Sequence, residues 1–157
     1  MHLVHNGLYI GDQTDCRHGD DSLAVIHACK HPCHQQAVGY SGNLSPAHPD
    51  YLVLEDGHDL FLNLIDPPVP MFKVESFTAF LDFARRQVED SRDILVHCNM
   101  GQSRAPSLAM LALAKARGVL PDGSFEEAVA AFRDLWPSYS PGSGIRVFLT
   151  SAWGEIA

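Results

Sequence analysis

The chain has 157 residues with eleven basic and nineteen acidic side chains, a formal charge of −8 at pH 7. That balance disfavours nucleic acid and anionic membranes as general partners. The length fits one domain, residues 1–157, burying roughly two-thirds of its unfolded surface. With 46% hydrophobic residues and no apolar run of membrane-span or signal-peptide length, the sequence reads as a small cytoplasmic globular protein of unspecified oligomeric state.

Short runs of strand formers lie at Leu8–Ile10, Ala24–Ala28, Tyr51–Leu54, Leu60–Ile65 and Ile94–His97. Between the second and third, the stretch from Lys30 to Asp50 is rich in His, Gly, Ser and Pro. An irregular segment of that length is unusual in a compact domain and is expected to border a site. Apolar residues Val74, Phe77, Leu81, Ala84 and Val88 recur at helical spacing and predict a helix from about Phe72 to Glu89. A buried helix follows from Pro106 to about Arg117, apolar all round from Leu108 to Ala114, with Pro in its first turn and Gly118 as its stop. A third opens at Ser124, where Glu127 completes a capping box, and stops at Pro137 with Val129, Phe132 and Leu135 facing the core. The last presents Ile145, Phe148, Leu149, Ala152 and Trp153 as one stripe. Strands that alternate with helices predict an α/β three-layer domain: a central, mostly parallel sheet of about four to five strands flanked by helices.

The most informative segment joins the fifth strand to the second helix: Ile94-Leu95-Val96-His97-Cys98-Asn99-Met100-Gly101-Gln102-Ser103-Arg104-Ala105-Pro106-Ser107. Five residues between Cys98 and Arg104 can curl until successive backbone N–H groups converge, a nest suited to an anion. Gly101 supplies the positive φ that so tight a curl needs. The following helix adds the positive end of its dipole, which favours both a bound phosphate and a thiolate. Arg104 brings a planar fork that can hold two phosphate oxygens, which lysine cannot imitate.

His97-Cys98-x-x-Gly101-x-x-Arg104, between a strand and a helix, resembles the signature of the protein tyrosine phosphatase superfamily, in particular its dual-specificity branch. Leu8-Tyr9-Ile10-Gly11 is similar to the opening strand of that family and Ser138 to Trp153 to its closing helical segment. The resemblance implies a phosphomonoester hydrolase without cofactor or metal, in which Cys98 is the nucleophile. Asn99, Met100, Gly101, Gln102 and Ser103, with Arg104, would hold the phosphoryl group, and His97 and Ser107 would support the loop. It also implies a general acid about thirty residues earlier. Asp66 lies 32 residues before Cys98 and opens a proline-rich loop, so it is the expected acid; Asp56 and Asp59 are the alternatives and read as turn residues. Phosphorylated protein or a small phosphomonoester is the expected substrate. The absence of lysine from the loop speaks against inositol phosphates, and an RNA 5′-phosphate or phospholipid phosphatase of the same fold stays open.

Two departures stand out. The family places Ser or Thr directly after the arginine, where the hydroxyl helps the sulfur leave; here that residue is Ala105, flanked by Ser103 and Ser107. The closing loop Pro141-Gly142-Ser143-Gly144 also lacks the Gln or Asn by which some relatives place water. A phosphate-recognition module with little turnover is therefore the rival reading. A second rival is the run His27-x-Cys29-x-His31-x-Cys33-His34, dense in metal-ligand types but matching no common zinc module. In the family reading Cys29, just past the strand expected beside Cys98, is instead a possible redox partner that captures the oxidised nucleophile. Cys16 and Cys33 receive no role, and no disulfide framework is expected.

Overall fold

The computed structural model describes all 157 residues, in the order β1 His2–His5, β2 Leu8–Gly11, β3 Leu23–His27, α1 Gln35–Val38, β4 Val53–Asp56, β5 Asp59–Leu62, α2 Val74–Glu89, β6 Asp93–His97, α3 Arg104–Leu111, α4 Phe125–Leu135 and α5 Ser143–Ala152. One six-stranded sheet runs β1-β2-β6-β3-β5-β4. Its four inner strands are parallel, and β1 and β4 close the two edges antiparallel. The expected parallel centre is present, and the sheet is wider than expected by the edge strand β1. The signal for β1 is its turn: Asn6-Gly7, with Gly7 at φ +69°, is the dipeptide that a tight hairpin demands. Strand β4 starts two residues later than Tyr51, and Asn63–Ile65 lies beyond β5.

The inner strands are apolar on both faces, as parallel strands covered on both sides must be. Ala24 and Ile26 of β3 and Ile94 and Val96 of β6 point into the main core with α2–α5. Their alternate neighbours Leu23, Val25 and Leu95 pack on the opposite face with Tyr9. Farther along that second face Phe61 meets Cys29 and Cys33, with Cys16 and Ala37 against them.

Helix α3 is buried along its whole length and touches β2, β6, α2 and α4. It begins at Arg104, two residues before the expected Pro106, so that Pro106 sits in the first turn where its missing N–H costs nothing. Its coil then widens over Ala112–Ala116, where the Arg117 N–H reaches back to the Ala112 carbonyl at 2.9 Å. Ser124 caps α4 by accepting the Glu127 N–H at 3.2 Å, but the return bond from the Glu127 side chain is not made, so the expected capping box is half formed. The α5 stripe from Ile145 to Trp153 is buried as expected.

Two helix faces differ from their periodicity. On α2, Phe80 and Phe83 are buried and Val88 is exposed; on α4, Phe125 and Ala128 are buried and Leu135 is exposed. In both, the outlying residue lies in the final turn, past the end of the packed face. Phe80 is fully buried among the core residues, so Phe80→Ala is expected to cost about 3–5 kcal/mol. Urea unfolding checks this, and a loss below about 1 kcal/mol would show that Phe80 contributes less than its burial implies.

The Lys30–Asp50 stretch is not irregular throughout: a kinked helical turn, Lys30–His34, leads into α1, which Gly39 ends. No helix of the protein is long and apolar enough to cross a membrane. All four inner strands point their carboxyl ends to one rim, the side where open parallel sheets bind ligands. Gly11, His27–Cys29, Leu64–Asp66 and His97–Cys98 all leave the sheet there.

Candidate active site

The loop Cys98–Ser103 rises from β6 and enters α3. Cys98 is 2% exposed at the floor of the loop, and its sulfur accepts the Gly101 N–H at 3.2 Å. Gly101 has φ +71°, and a Cβ there would stand 3.1 Å from the Gly11 carbonyl oxygen. Both the dihedral and the space thus require glycine. The N–H groups of Asn99, Met100, Gln102, Ser103 and Arg104 have no acceptor among the backbone hydrogen bonds. Unpaired backbone donors at the start of a buried helix suit an anion.

Arg104 is 8% exposed and spans the carboxyl ends of two neighbouring strands. Its Nη1 donates to the carbonyls of Ala28 at 3.3 Å and Leu64 at 3.1 Å, and its Nη2 to Asn99 Oδ1 at 2.8 Å. Nε is buried and has no partner. A buried guanidinium N–H without an acceptor is costly, and an anion in the loop is the natural acceptor. Asn99 also donates to Gln13 Oε1 at 3.0 Å and to the His31 carbonyl at 2.9 Å. The segment around His31 therefore does border the loop, as its length suggested. Gln13 is a contact that sequence reasoning missed, because nothing in its neighbourhood marks it.

The flanking serines have other partners. Ser107 Oγ donates to the Ser103 carbonyl at 2.6 Å and pairs with the Tyr139 hydroxyl at 2.7 Å; burial pushes the Tyr139 phenol up, so it stays protonated. Ser103 Oγ accepts the Gly142 N–H at 2.8 Å. Ala105 is fully buried. Ser107 gives its proton to the Ser103 carbonyl, and neither hydroxyl hydrogen-bonds the Cys98 sulfur in place of the missing one.

Asp66 is exposed beyond β5, and its carboxylate lies against Gly142, where an added Cβ would come to 2.5 Å from Oδ1. Ser143 Oγ donates to the Pro68 carbonyl at 2.8 Å. The Asp66 loop is thus seated on the N-terminus of α5, which Ser103 ties in turn to the Cys98 loop. Asp59 takes no part in this group: it opens β5 on the second face of the sheet and accepts from His27.

No family model matches the sequence, and no curated protein matches it. Solved structures do match in shape. The human tyrosine phosphatase-like serine/threonine/tyrosine-interacting protein superposes with a TM-score of 0.65 at 16% identity, over 98% of this chain and 95% of that one. Human DUSP28 gives 0.65 at 15% identity over the same shares. The Orf virus protein OH1, described as a tyrosine phosphatase with triple substrate specificity, gives 0.57 at 16% identity, over 98% of this chain and 86% of that one. The fold is that of the dual-specificity phosphatases.

On this phosphatase fold the remaining candidates fall on the second face of the sheet. His97 is buried and its Nε2 lies 2.7 Å from His27 Nδ1. His27 Nε2 meets Asp59 Oδ1 at 2.8 Å, and the other Asp59 oxygen accepts the Gly19 N–H at 2.9 Å. Burial, the largest influence on His27, works against its protonation, but hydrogen bonds to Asp59 and Cys33 outweigh it and raise the pKa. Burial and the neighbouring Cys33 push the Cys16 thiol up to about 12.

The run His27-x-Cys29-x-His31-x-Cys33-His34 does not assemble as a unit. His34 is held by Tyr40 and the Asp50 carbonyl, and His31 by Gln35. Cys29 follows Ala28, whose N–H bonds the His97 carbonyl at 2.9 Å, so its strand does run beside the one leading to Cys98. Its side chain packs with Cys33 and Phe61, in a cluster separate from that of Cys98. All four cysteines are free thiols.

Proposed function

We propose that the protein is a cysteine-based phosphomonoester hydrolase acting on phosphorylated protein, through a phosphocysteine intermediate. The observation that carries this reading is the loop itself: a cysteine beneath unpaired amides at the start of a buried helix, beside a buried arginine with a free Nε–H. The fold adds to it. Cys98 Sγ attacks phosphorus while the ester P–O bond breaks, and the leaving oxygen takes a proton from Asp66. Water then attacks the phosphorus of the phosphocysteine, Asp66 accepts its proton, and the S–P bond breaks to release phosphate. Asn99, Met100, Gln102 and Ser103 offer the amides that stabilise the equatorial oxygens, together with Arg104, while Gly101 turns the loop and gives its N–H to the Cys98 sulfur. The protein's work would then be done in the cytoplasm.

The test is hydrolysis of p-nitrophenyl phosphate followed from the first turnover. A burst of p-nitrophenol followed by a steady rate supports the enzyme; no release from a properly folded preparation refutes it. The second reading, a phosphate-binding module with little turnover, is favoured by Ala105 and by the engagement of Ser103 and Ser107 elsewhere. It expects phosphate-analogue binding without release. If loss of the sulfur limits the steady rate, Ala105→Ser raises that rate several-fold and leaves the burst amplitude unchanged. An unchanged steady rate would show that breakdown of the intermediate is not the slow step.

A further inference from the structure

The second face of the sheet carries a group that the proposed hydrolysis does not use. His27 and His97 are directly paired residues of the neighbouring parallel strands β3 and β6, so their side chains share one face at the carboxyl end of the sheet. Cys16, just after the Gln13–Asp15 turn, and Cys33, in the Lys30–His34 turn, close over them from two separate segments. One ligand atom from each of Cys16, His27, Cys33 and His97 lies within 4.8 Å of every other. His27, Cys33 and His97 are buried.

We propose that Cys16, His27, Cys33 and His97 form a structural zinc site that fastens the base of the Cys98 loop to the sheet. Two of its edges lie close to those of a tetrahedron. Zinc bonds of about 2.3 Å to sulfur and about 2.0–2.1 Å to nitrogen imply edges of about 3.8 Å between sulfurs, 3.6 Å between sulfur and nitrogen, and 3.4 Å between nitrogens. Cys16 Sγ lies 4.0 Å from Cys33 Sγ and 3.6 Å from His27 Nδ1. The edge between His27 Nδ1 and His97 Nε2 is 2.7 Å, the length of a direct hydrogen bond, and opens by about 0.7 Å when a metal replaces the shared proton.

The surroundings favour a metal as well. Asp59 takes the proton of His27 Nε2 and is itself fixed by the Gly19 N–H. This leaves Nδ1 free to ligate, facing His97 Nε2 and Cys16 Sγ, in the carboxylate–histidine arrangement that orients metal-bound imidazoles. Gln13 Nε2 approaches Cys33 Sγ at 3.9 Å, a donor to the sulfur from outside. Two thiolates and two imidazoles are a donor set that selects zinc. Binding releases the two thiol protons to solvent, shifts the proton between the imidazoles to His97 Nδ1, which is buried without a partner, and leaves two thiolates that balance the dication. Four protein ligands complete the coordination, with no open position, so the role is structural. The site joins the segment after β2, the end of β3, the turn before α1 and the end of β6, one residue before Cys98.

The proposal is tested on the full chain carrying Cys98→Ser, which removes the one other thiol of the loop, kept reduced throughout. After gel filtration from zinc-containing buffer, about one zinc per chain is expected by mass spectrometry of the metals. Cobalt in its place should show thiolate charge transfer in the near ultraviolet and the strong visible bands of a tetrahedral site. Cys16→Ser and Cys33→Ser should lose these bands, and Cys29→Ser should keep them. Asp59→Asn, which leaves all four ligands, should weaken zinc about 10–100-fold, and so stays informative if a cysteine variant fails to fold. Chelation should lower the melting temperature of the parent and not that of a folded Cys33→Ser variant. Failure to bind zinc by the folded, reduced protein would overturn the proposal. So would cobalt bands lacking thiolate character, bands indifferent to Cys16 and Cys33, or isolation of the chain with a Cys16–Cys33 disulfide. None of these readouts depends on phosphatase activity.

Discussion

Hydrolysis of p-nitrophenyl phosphate is expected to fall to background in Cys98→Ser while binding of a phosphate analogue persists. A serine hydroxyl is not ionised at neutral pH and gives no phosphocysteine, but the amides of Asn99 to Arg104 and the helix behind them are unchanged. Arg104→Lys is expected to lose both binding and rate. The lysine ammonium is a point charge that cannot span the carbonyls of Ala28 and Leu64, reach Asn99 and still offer a planar donor pair to the phosphoryl oxygens. The two variants therefore separate the nucleophile from the anion holder. Oxyanion binding is measured beside initial rates, and thermal unfolding shows whether the lysine variant has also loosened the strand ends. More than about a tenth of the parental rate in either variant would remove that residue from the role assigned to it.

The loop was legible because everything it needs is contiguous: β6, Cys98, Gly101, Arg104 and α3 follow one another, and strand, curl and buried helix each leave a local mark. The inner parallel strands were legible for the same reason, each being a short apolar run. Edge strand β1 was not, since of its four residues only Val4 is buried, and what announces it is the Asn6-Gly7 turn. Helix periodicity found a stripe on α2 but misjudged its edge. Where the packed face ends depends on neighbouring elements, so Phe80 and Phe83 turn inward and Val88 outward.

The group on the second face shows what a sequence conceals. His27 and His97 are 70 residues apart and meet only because β6 inserts between β2 and β3. Cys16 comes from a turn without a recognisable signature. Reading ligand types along a run brought forward His27 and Cys33, which join the group, together with Cys29, His31 and His34, which have other partners. Spacing along a strand identifies a face, whereas membership of a site requires the pairing of strands distant in the chain. Asp66 is intermediate: its offset from Cys98 pointed to it, but the contacts that seat its loop run through Gly142, Ser143 and Ser103, and none of these was visible in the offset.

Those contacts shape the second large effect expected. Asp66→Asn is expected to slow the cleavage of alkyl and phenyl phosphates by about 10²–10⁴-fold, the usual size of a lost general acid. Substrates whose leaving group needs no proton should slow much less, so the deficit should grow with the basicity of the leaving group. The amide keeps the shape of the carboxylate against Gly142, and the comparison therefore isolates the proton from the position of the loop. Gly142→Ala alters position instead: its methyl group would meet Asp66 Oδ1 at 2.5 Å and push the loop from its seat on α5. If Asp66 is the acid, both variants steepen the dependence of rate on the leaving group, and combining them adds little. An Asp66→Asn enzyme as fast as its parent on phenyl phosphate would move proton transfer to another group. Asp59 would be a poor replacement, since it is committed to His27 and Gly19 on the far face of the sheet.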